Sequence, residues 1–328
     1  MHKTPTRSLA ARLRQAAGAA IVDNTLAAAF HFPRALPIAD PARYGVETVR
    51  DIVYGDPANP QHRLDVWKPT ADHTPRPVIF YVHGGGFRIL SKDSHWVMAL
   101  SYARRGYVVF NIDYRLAPTH KFPAAIEDVA AAYRWVVRNA ARFGGDPTHI
   151  AVAGESAGAN LATSLVVATC YARSEPWARE TFDLAAVPTL AFPSCGVYQV
   201  TDIDRIRRRK HNLPTWLFDR LHEVEEAYLH GVPATLADLE MADPLRVFES
   251  GRAPDRPLPV FQLLAGTHDP LLDDTRRLAT ALRQLGARVI ERVGPGEMHG
   301  FDAMVWRRAA RECWAERYAL IEELMGLE

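Results

Sequence analysis

From about Val46 onward, short apolar runs alternate with longer stretches in which apolar residues recur every three or four positions. The short runs read as strands, and the pattern predicts Val49–Tyr54, Leu64–Trp67, Val78–Val82, Val108–Ile112, Ile150–Ala153, Thr189–Phe192, Val260–Leu264 and Val289–Val293. Between Ile112 and Ile150, the residues Ile126, Val129, Ala130, Tyr133, Val136 and Val137 follow helical spacing, with Pro123 at the start and Gly144–Gly145 at the stop. This order predicts an α/β fold, a mostly parallel sheet covered by helices on both faces.

Two stretches break the alternation, residues 1–46 and 194–246. In the second, Trp216, Leu217, Leu221, Val224, Tyr228 and Leu229 keep helical spacing with no strand between them. Together the two stretches are expected to form a helical cap over the C-terminal edge of a core made of 47–193 and 247–328. Trp216, Leu217 and Tyr228 are its candidate cavity-wall residues.

A chain of 328 residues with 48% hydrophobic composition fits one large domain with an elaboration, and therefore one active site. Lys plus Arg number 39 against 38 Asp plus Glu, with no basic footprint for nucleic acid. The one basic run, Arg205, Arg207, Arg208, Arg209 and Lys210, reads as a solvated helix face. Cys170, Cys195 and Cys313 are far apart and odd in number, which argues against a disulfide framework or a cysteine metal site and suits a reducing cytoplasm. Near the N-terminus, Arg7, Arg12 and Arg14 precede a short apolar stretch that Asp23 and Asn24 interrupt, and no apolar run is long enough to span a bilayer. A cytoplasmic protein without stable membrane insertion is expected, and a homodimer is compatible with this surface.

The chemistry starts at Gly154-Glu155-Ser156-Ala157-Gly158, a GxSxG sequence between the strand Ile150–Ala153 and a helical run from Asn160 to Tyr171. A strand-to-helix turn this sharp needs small residues on both sides of the nucleophile and leaves the Ser156 hydroxyl exposed. The helix also aims its first amides at a reacting carbonyl, that of Ala157 foremost. Upstream, Val78–Val82 runs into His83-Gly84-Gly85-Gly86-Phe87, where amides unobstructed by side chains can converge on one oxygen. Gly84 and Gly85 are the expected donors beside Ala157, while His83 shapes the loop. A phosphate-binding reading fails because no Lys-Ser/Thr pair or GxGxxG spacing follows, and no cofactor is implied.

A serine nucleophile needs a base to take its proton. His299 follows the last predicted strand and precedes the C-terminal helix expected near Trp306, whereas His31, His62, His211 and His230 fall in cap or surface contexts. Asp269, four residues after Ala265, suits the orienting acid better than its neighbour His268 suits the base. The same aspartate is also placed to cap the following helix, and Asp273 and Asp274 fall inside that helix's first turns, where acids complement the macrodipole. The chain order Ser, Asp, His is that of the α/β-hydrolases.

With these motifs assembled, the sequence resembles the hormone-sensitive-lipase-like (family IV) esterases. Beyond His83–Gly86 and Gly154–Asn160, the resemblance rests on Asp113-Tyr114-Arg115-Leu116-Ala117-Pro118, Phe122-Pro123-Ala124-Ala125, Asp269-Pro270-Leu271 and His299-Gly300-Phe301. It covers roughly residues 46–192 and 244 to the end. It implies cofactor-free hydrolysis of short- to medium-chain esters under a cap of N-terminal and inserted helices. Glu155 stands where Asp or Thr is frequent and Ala159 where Gly is frequent, which bears on subfamily and selectivity. Asp113 and Arg115 are read as a structural ion pair. The triad itself does not separate an esterase from an amidase, lactonase or peptidase. A non-catalytic receptor on this fold is expected to have lost a triad member, and all three are present.

Overall fold

The computed structural model describes residues 36–70, 74–209, 213–232, 235 and 239–326. In chain order its elements are β1 (Val46–Val53), β2 (Arg63–Pro69), β3 (Arg76–Val82), α1 (Trp96–Ala103), β4 (Val108–Ile112), α2 (Ala124–Asn139), β5 (Gly145–Glu155), α3 (Ala157–Cys170) and α4 (Pro176–Asp183). There follow β6 (Leu190–Ser194), α5 (Asp204–Arg209), α6 (Thr215–Leu229), α7 (Pro244–Glu249), β7 (Val260–Gly266), α8 (Leu272–Gln284), β8 (Val289–Gly294) and α9 (Arg308–Met325). The expected helix after Pro123 is α2, and its stop is a 3-10 turn, Ala140–Phe143, ending on Gly144 at φ +80°. A left-handed residue closes a helix at little cost when it has no Cβ.

Among the described residues, eight strands join one sheet in the order β1-β2-β4-β3-β5-β6-β7-β8. Pairing is antiparallel between β1 and β2 and between β2 and β4, and parallel from β4 onward. β3 and β5 lie in the middle, which explains why Val78–Val82 and Ile150–Ala153 read as unbroken apolar runs: helices cover both faces. Val78, Phe80 and Val82 point to one layer with α2 and α3, while Ile79 and Tyr81 point to the other with α1 and α9. Each aliphatic side chain fully buried in these layers contributes roughly 1.5–3 kcal/mol, enough to fix the register of the central strands.

The sequence places the boundaries of β1 and α3 too late, by about three residues in each case. β1 begins at Val46 and carries an irregularity between Val49 and Ile52, which disguises its alternation. α3 begins immediately after Ser156. Among the described residues, the segment between β6 and β7 contains α5, α6 and α7 and no strand. The expected cap residues 1–35 lie outside the described residues, and 36–45 form two 3-10 turns, Pro37–Ala39 and Pro41–Tyr44. Among the described residues, no helix is long and apolar enough to cross a membrane.

The ends of β3 and β5 meet where the catalytic motifs sit, and two glycines make that possible. A Cβ on Gly158 would stand 2.2 Å from the Val82 carbonyl oxygen and 2.5 Å from that of His83, and one on Gly154 would stand 2.5 Å from the Gly158 carbonyl. These are backbone atoms of the central sheet, so they cannot step aside cheaply. Gly158→Ala is therefore expected to lose about 2–4 kcal/mol of unfolding free energy in urea denaturation. Stability equal to the wild type would contradict this packing.

Candidate active site

Ser156 occupies the single residue between β5 and α3, at φ +52° and ψ −117°. A non-glycine residue held there is strained, and the strain persists because the strand, the helix and a hydrogen bond from the Ser156 amide to the Ser194 carbonyl (2.9 Å) all fix it. As the first residue of α3, Ala157 has an amide with no intrahelical acceptor, and it makes no hydrogen bond to another described residue.

The glycine loop after β3 differs from its sequence reading at one position. The Gly84 amide is directed at the His95 imidazole (3.4 Å), and Gly84 does not line the cavity that holds Ser156. Gly85 and Gly86 do line it, at φ +111° and +60°, and their amides have no acceptor among the described residues. Both residues take a positive φ, which glycine adopts at little cost and which three identical letters do not distinguish. Of the three glycines, Gly85 and Gly86 are thus the ones that line the cavity with Ser156, and Gly84 is not.

His83 is buried under Tyr114, stacked at 4.2 Å, and its Nδ1 contacts the Gly84 carbonyl at 2.7 Å. Burial and the neighbouring His95 push it down to about 3, so it stays neutral and structural. Glu155 is buried beside the nucleophile, with Oε1 2.8 Å from His95 Nε2. Burial alone would raise its pKa, yet the charge and hydrogen bond of His95 leave it lowered, so it remains a carboxylate.

Asp269 and His299 come from loops after β7 and β8 that are pinned to each other. The amide of Thr267 donates to the Gly294 carbonyl (3.0 Å), that of His268 to the Glu297 carbonyl (2.9 Å), and that of Gly296 to the Thr267 hydroxyl (2.8 Å). Asp269 is fully buried; one oxygen accepts from the Leu271 amide (2.8 Å) and the other from His299 Nδ1 (2.9 Å), so capping and orienting are both its roles. Burial opposes protonation of His299, but Asp269 first and Cys195 next raise its pKa well above the ordinary value of 6.5. Beneath, the buried Arg317 pairs with Asp302, three residues past the histidine, at 3.1 Å.

Ser156 and His299 line one cavity of about 740 Å³, without a hydrogen bond between them. In unliganded hydrolases this bond is commonly loose and tightens around substrate. Most of the wall is apolar: Ile89, Leu90, Trp96, Val97, Leu100 and Val305 contribute to it. From α6 come Arg220, Glu223 and Val224, a helical face at spacing three and four, with Glu223 ion-paired to Arg220 and, at 3.4 Å, to Arg88 of the glycine loop. None of the expected wall residues lines it. Trp216 is 61% exposed, Leu217 is half-buried, and Tyr228 stacks on Phe87 with ring centres 3.9 Å apart.

Other readings shift as well. Arg115 forms a fork to Asp128 (2.7 and 2.8 Å) rather than pairing with Asp113, whose carboxylate accepts from the Lys92 amide at 2.7 Å. His62 also engages Asp128, at 3.1 Å, and is not simply solvent-facing. In the basic run, Arg207, Arg208 and Arg209 are exposed, but Arg205 is buried against Asp274. Asp274 therefore does more than complement a helix dipole. Cys195, which the sequence offers only as one of three scattered cysteines, directly follows β6 and stands beside Asp269 and His299, a neighbourhood that its spacing does not signal.

Residues 79–303 match the family model described as the alpha/beta hydrolase fold. The chain belongs to the alpha/beta-hydrolase family. The curated relatives it resembles include proteins named as carboxylesterases and ester hydrolases. It is 36% identical to carboxylesterase NlhH of Mycobacterium tuberculosis over 234 residues, which span 69% of this chain and 66% of that protein, just under two thirds of its length. It is 30% identical to an ethyl acetate hydrolase of Pseudomonas putida over 81% of this chain and 84% of the relative. Among solved structures, esterase LipW of Mycobacterium marinum superposes with a TM-score of 0.73 at 26% identity, covering 93% of this chain and 89% of that one. For an alpha/beta-hydrolase, the serine turn and the Asp269–His299 pair lie at the expected sheet edge, after β5, β7 and β8.

The two aspartates that the sequence weighed against each other should now fail differently. Asp269→Asn is expected to lower kcat about a thousandfold or more with stability largely kept, and to move the acid limb of kcat/KM to lower pH, because the carboxylate that raises His299 is gone. Activity falls as pH falls through the His299 pKa, since the imidazolium cannot accept a proton. Asp274→Asn should instead cost about 3 kcal/mol or more of stability by stranding buried Arg205, with kcat of the folded enzyme within a few-fold. Equal losses of kcat in both variants would contradict these assignments.

Proposed function

We propose that this chain is a carboxylesterase for short- to medium-chain acyl esters, with Ser156 as nucleophile, His299 as general base and Asp269 orienting the histidine. One observation carries the reading: a serine at positive φ shares a cavity with a histidine whose far nitrogen is hydrogen-bonded to a buried aspartate. The motif set supports the hormone-sensitive-lipase-like branch, and the names of the mycobacterial carboxylesterase and the ethyl acetate hydrolase support ester substrates.

In this mechanism His299 takes the Ser156 proton as the hydroxyl attacks the ester carbonyl. The tetrahedral oxyanion is received by the amides of Gly85, Gly86 and Ala157, each such donor contributing about a hundred- to thousandfold in kcat. The imidazolium, stabilised by Asp269, then protonates the departing alcohol, and water activated by the same histidine releases the acid. The side chains of this chain hold and move every proton in the cycle. Arg220, Glu223 and Val224 of α6 line the cavity together with Ile38 and Tyr44, which supports reading these segments as its roof. Three free and buried cysteines support a cytoplasmic setting.

Ser156→Ala should fold with an unchanged circular dichroism spectrum and lose about a thousandfold or more in kcat; retention of more than about a tenth would overturn the nucleophile assignment. Across p-nitrophenyl esters, each added methylene should contribute about 0.8 kcal/mol while the apolar wall has room. The ratio kcat/KM is expected to peak on the order of four to eight acyl carbons by this pocket-filling argument and then fall. A rate still rising at palmitoyl esters would point to an open, interfacial lipase site.

A further inference from the structure

Cys195 has no role in the chemistry above, yet it is buried at the floor of the site. Its Sγ, an Asp269 carboxylate oxygen and a His299 ring nitrogen all lie within 4.8 Å of one another. Thiolate, imidazole and carboxylate are the donor set that holds Zn²⁺ in proteins, at about 2.3, 2.0–2.1 and 2.0–2.2 Å. Tetrahedral ligation at those lengths separates ligand atoms by roughly 3.3–3.6 Å. The Nδ1 of His299 and the Asp269 oxygen are 2.9 Å apart, and no pair in the group exceeds 4.8 Å, so small opposing movements bring all three into range.

Those movements are available on one side. Asp269 and Cys195 are fixed in the core, but the His299 side chain is 39% exposed to the cavity and is followed by Gly300 at φ +68°. A divalent ion entering through the cavity meets the histidine first and finds behind it a carboxylate and a thiol that becomes anionic on losing its proton to the metal. One thiolate and one carboxylate neutralise the dication, which makes the burial tolerable.

We propose that Cys195, Asp269 and His299 form an inhibitory site for a thiophilic divalent cation of the Zn²⁺ class. Binding replaces the Cys195 thiol proton, which leaves to solvent, by a sulfur–metal bond. The His299 Nδ1 proton is displaced to Nε2 as Nδ1 takes the metal. Nε2 then carries a proton and cannot accept one from Ser156, and Asp269 no longer orients the ring, so ester hydrolysis stops until the ion is removed. The inhibition rests on the roles proposed for His299 and Asp269; the binding of the metal does not.

The test uses the chelator-treated full-length protein with two probes. Co²⁺ titration should give a thiolate-to-cobalt charge-transfer band in the near ultraviolet, saturating at one equivalent. Cys195→Ser should lack the band, Cys313→Ser should keep it, and His299→Ala should weaken it. In parallel, ZnCl₂ should inhibit p-nitrophenyl butyrate hydrolysis reversibly with EDTA. In Cys195→Ala, measured against its own uninhibited rate, about tenfold or more Zn²⁺ should be needed. No cobalt band in the wild type, a band unchanged in Cys195→Ser, or equal Zn²⁺ sensitivity in Cys195→Ala would each overturn the site. If the Cys195 variants do not fold, the band in wild type against His299→Ala decides. A protein inactive on esters that still binds Co²⁺ through Cys195 would refute the esterase reading and leave the metal site standing.

Discussion

The backbone at residue 158 lies so close to the end of β3 that no side chain fits between them, and most of the site follows from that contact. With Gly158 pressed on the Val82 and His83 carbonyls, α3 must start at Ala157, directly after β5. Ser156 is left to absorb the change of direction at φ +52°. The same contact joins the start of α3 to the end of β3, from which the glycine loop departs, so the proposed nucleophile and the proposed oxyanion donors both depend on one close approach of two central strands. The strain is held by the deepest part of the core, where β3 and β5 are buried on both faces.

A second close approach builds the other half of the site. A Cβ on Gly266 would stand 2.1 Å from the Glu297 carbonyl oxygen, which is how the loop bearing Asp269 and the loop bearing His299 come to share three hydrogen bonds. Arg317 and Asp302 form a buried ion pair under that junction. Such a pair adds little net stability but is costly to break, so it favours one arrangement of the loop. Above this floor, the Arg88–Glu223–Arg220 cluster ties the glycine loop to α6 and sets the roof of the cavity. The reacting groups are therefore held from below by backbone contacts and from above by charge.

Much of this was legible in the sequence because it depends on local signals. Apolar runs named all eight strands of the described residues; the central ones, β3 to β7, are largely buried on both faces, with Asn111 and Gln262 as single polar interruptions in β4 and β7. Ser156, Asp269 and His299 were legible as candidates because each lies on the turn or loop after a strand. What was not legible depends on φ or on distant partners. Three adjacent glycines do not reveal that Gly84 faces His95 while Gly85 and Gly86 face the cavity. Arg115 has an acid two residues upstream, but the chain carries it to Asp128 on α2. The apolar spacing of α6 correctly gave a helix, yet its face toward the cavity is the charged one, because Tyr228 and Phe218 are used in packing. Cys195 and His299 are adjacent only through the order of β6, β7 and β8 in the sheet.

The central claim is that a covalent intermediate forms on Ser156. The direct measurement is intact and peptide mass spectrometry after reaction with a p-nitrophenyl phosphonate, which mimics the tetrahedral state and cannot turn over. The account predicts one adduct per chain, on the peptide containing Ser156, formed in step with loss of ester hydrolysis and much more slowly in Asp269→Asn. Inactivation with the adduct on another residue, or full ester hydrolysis surviving complete modification of Ser156, would contradict it.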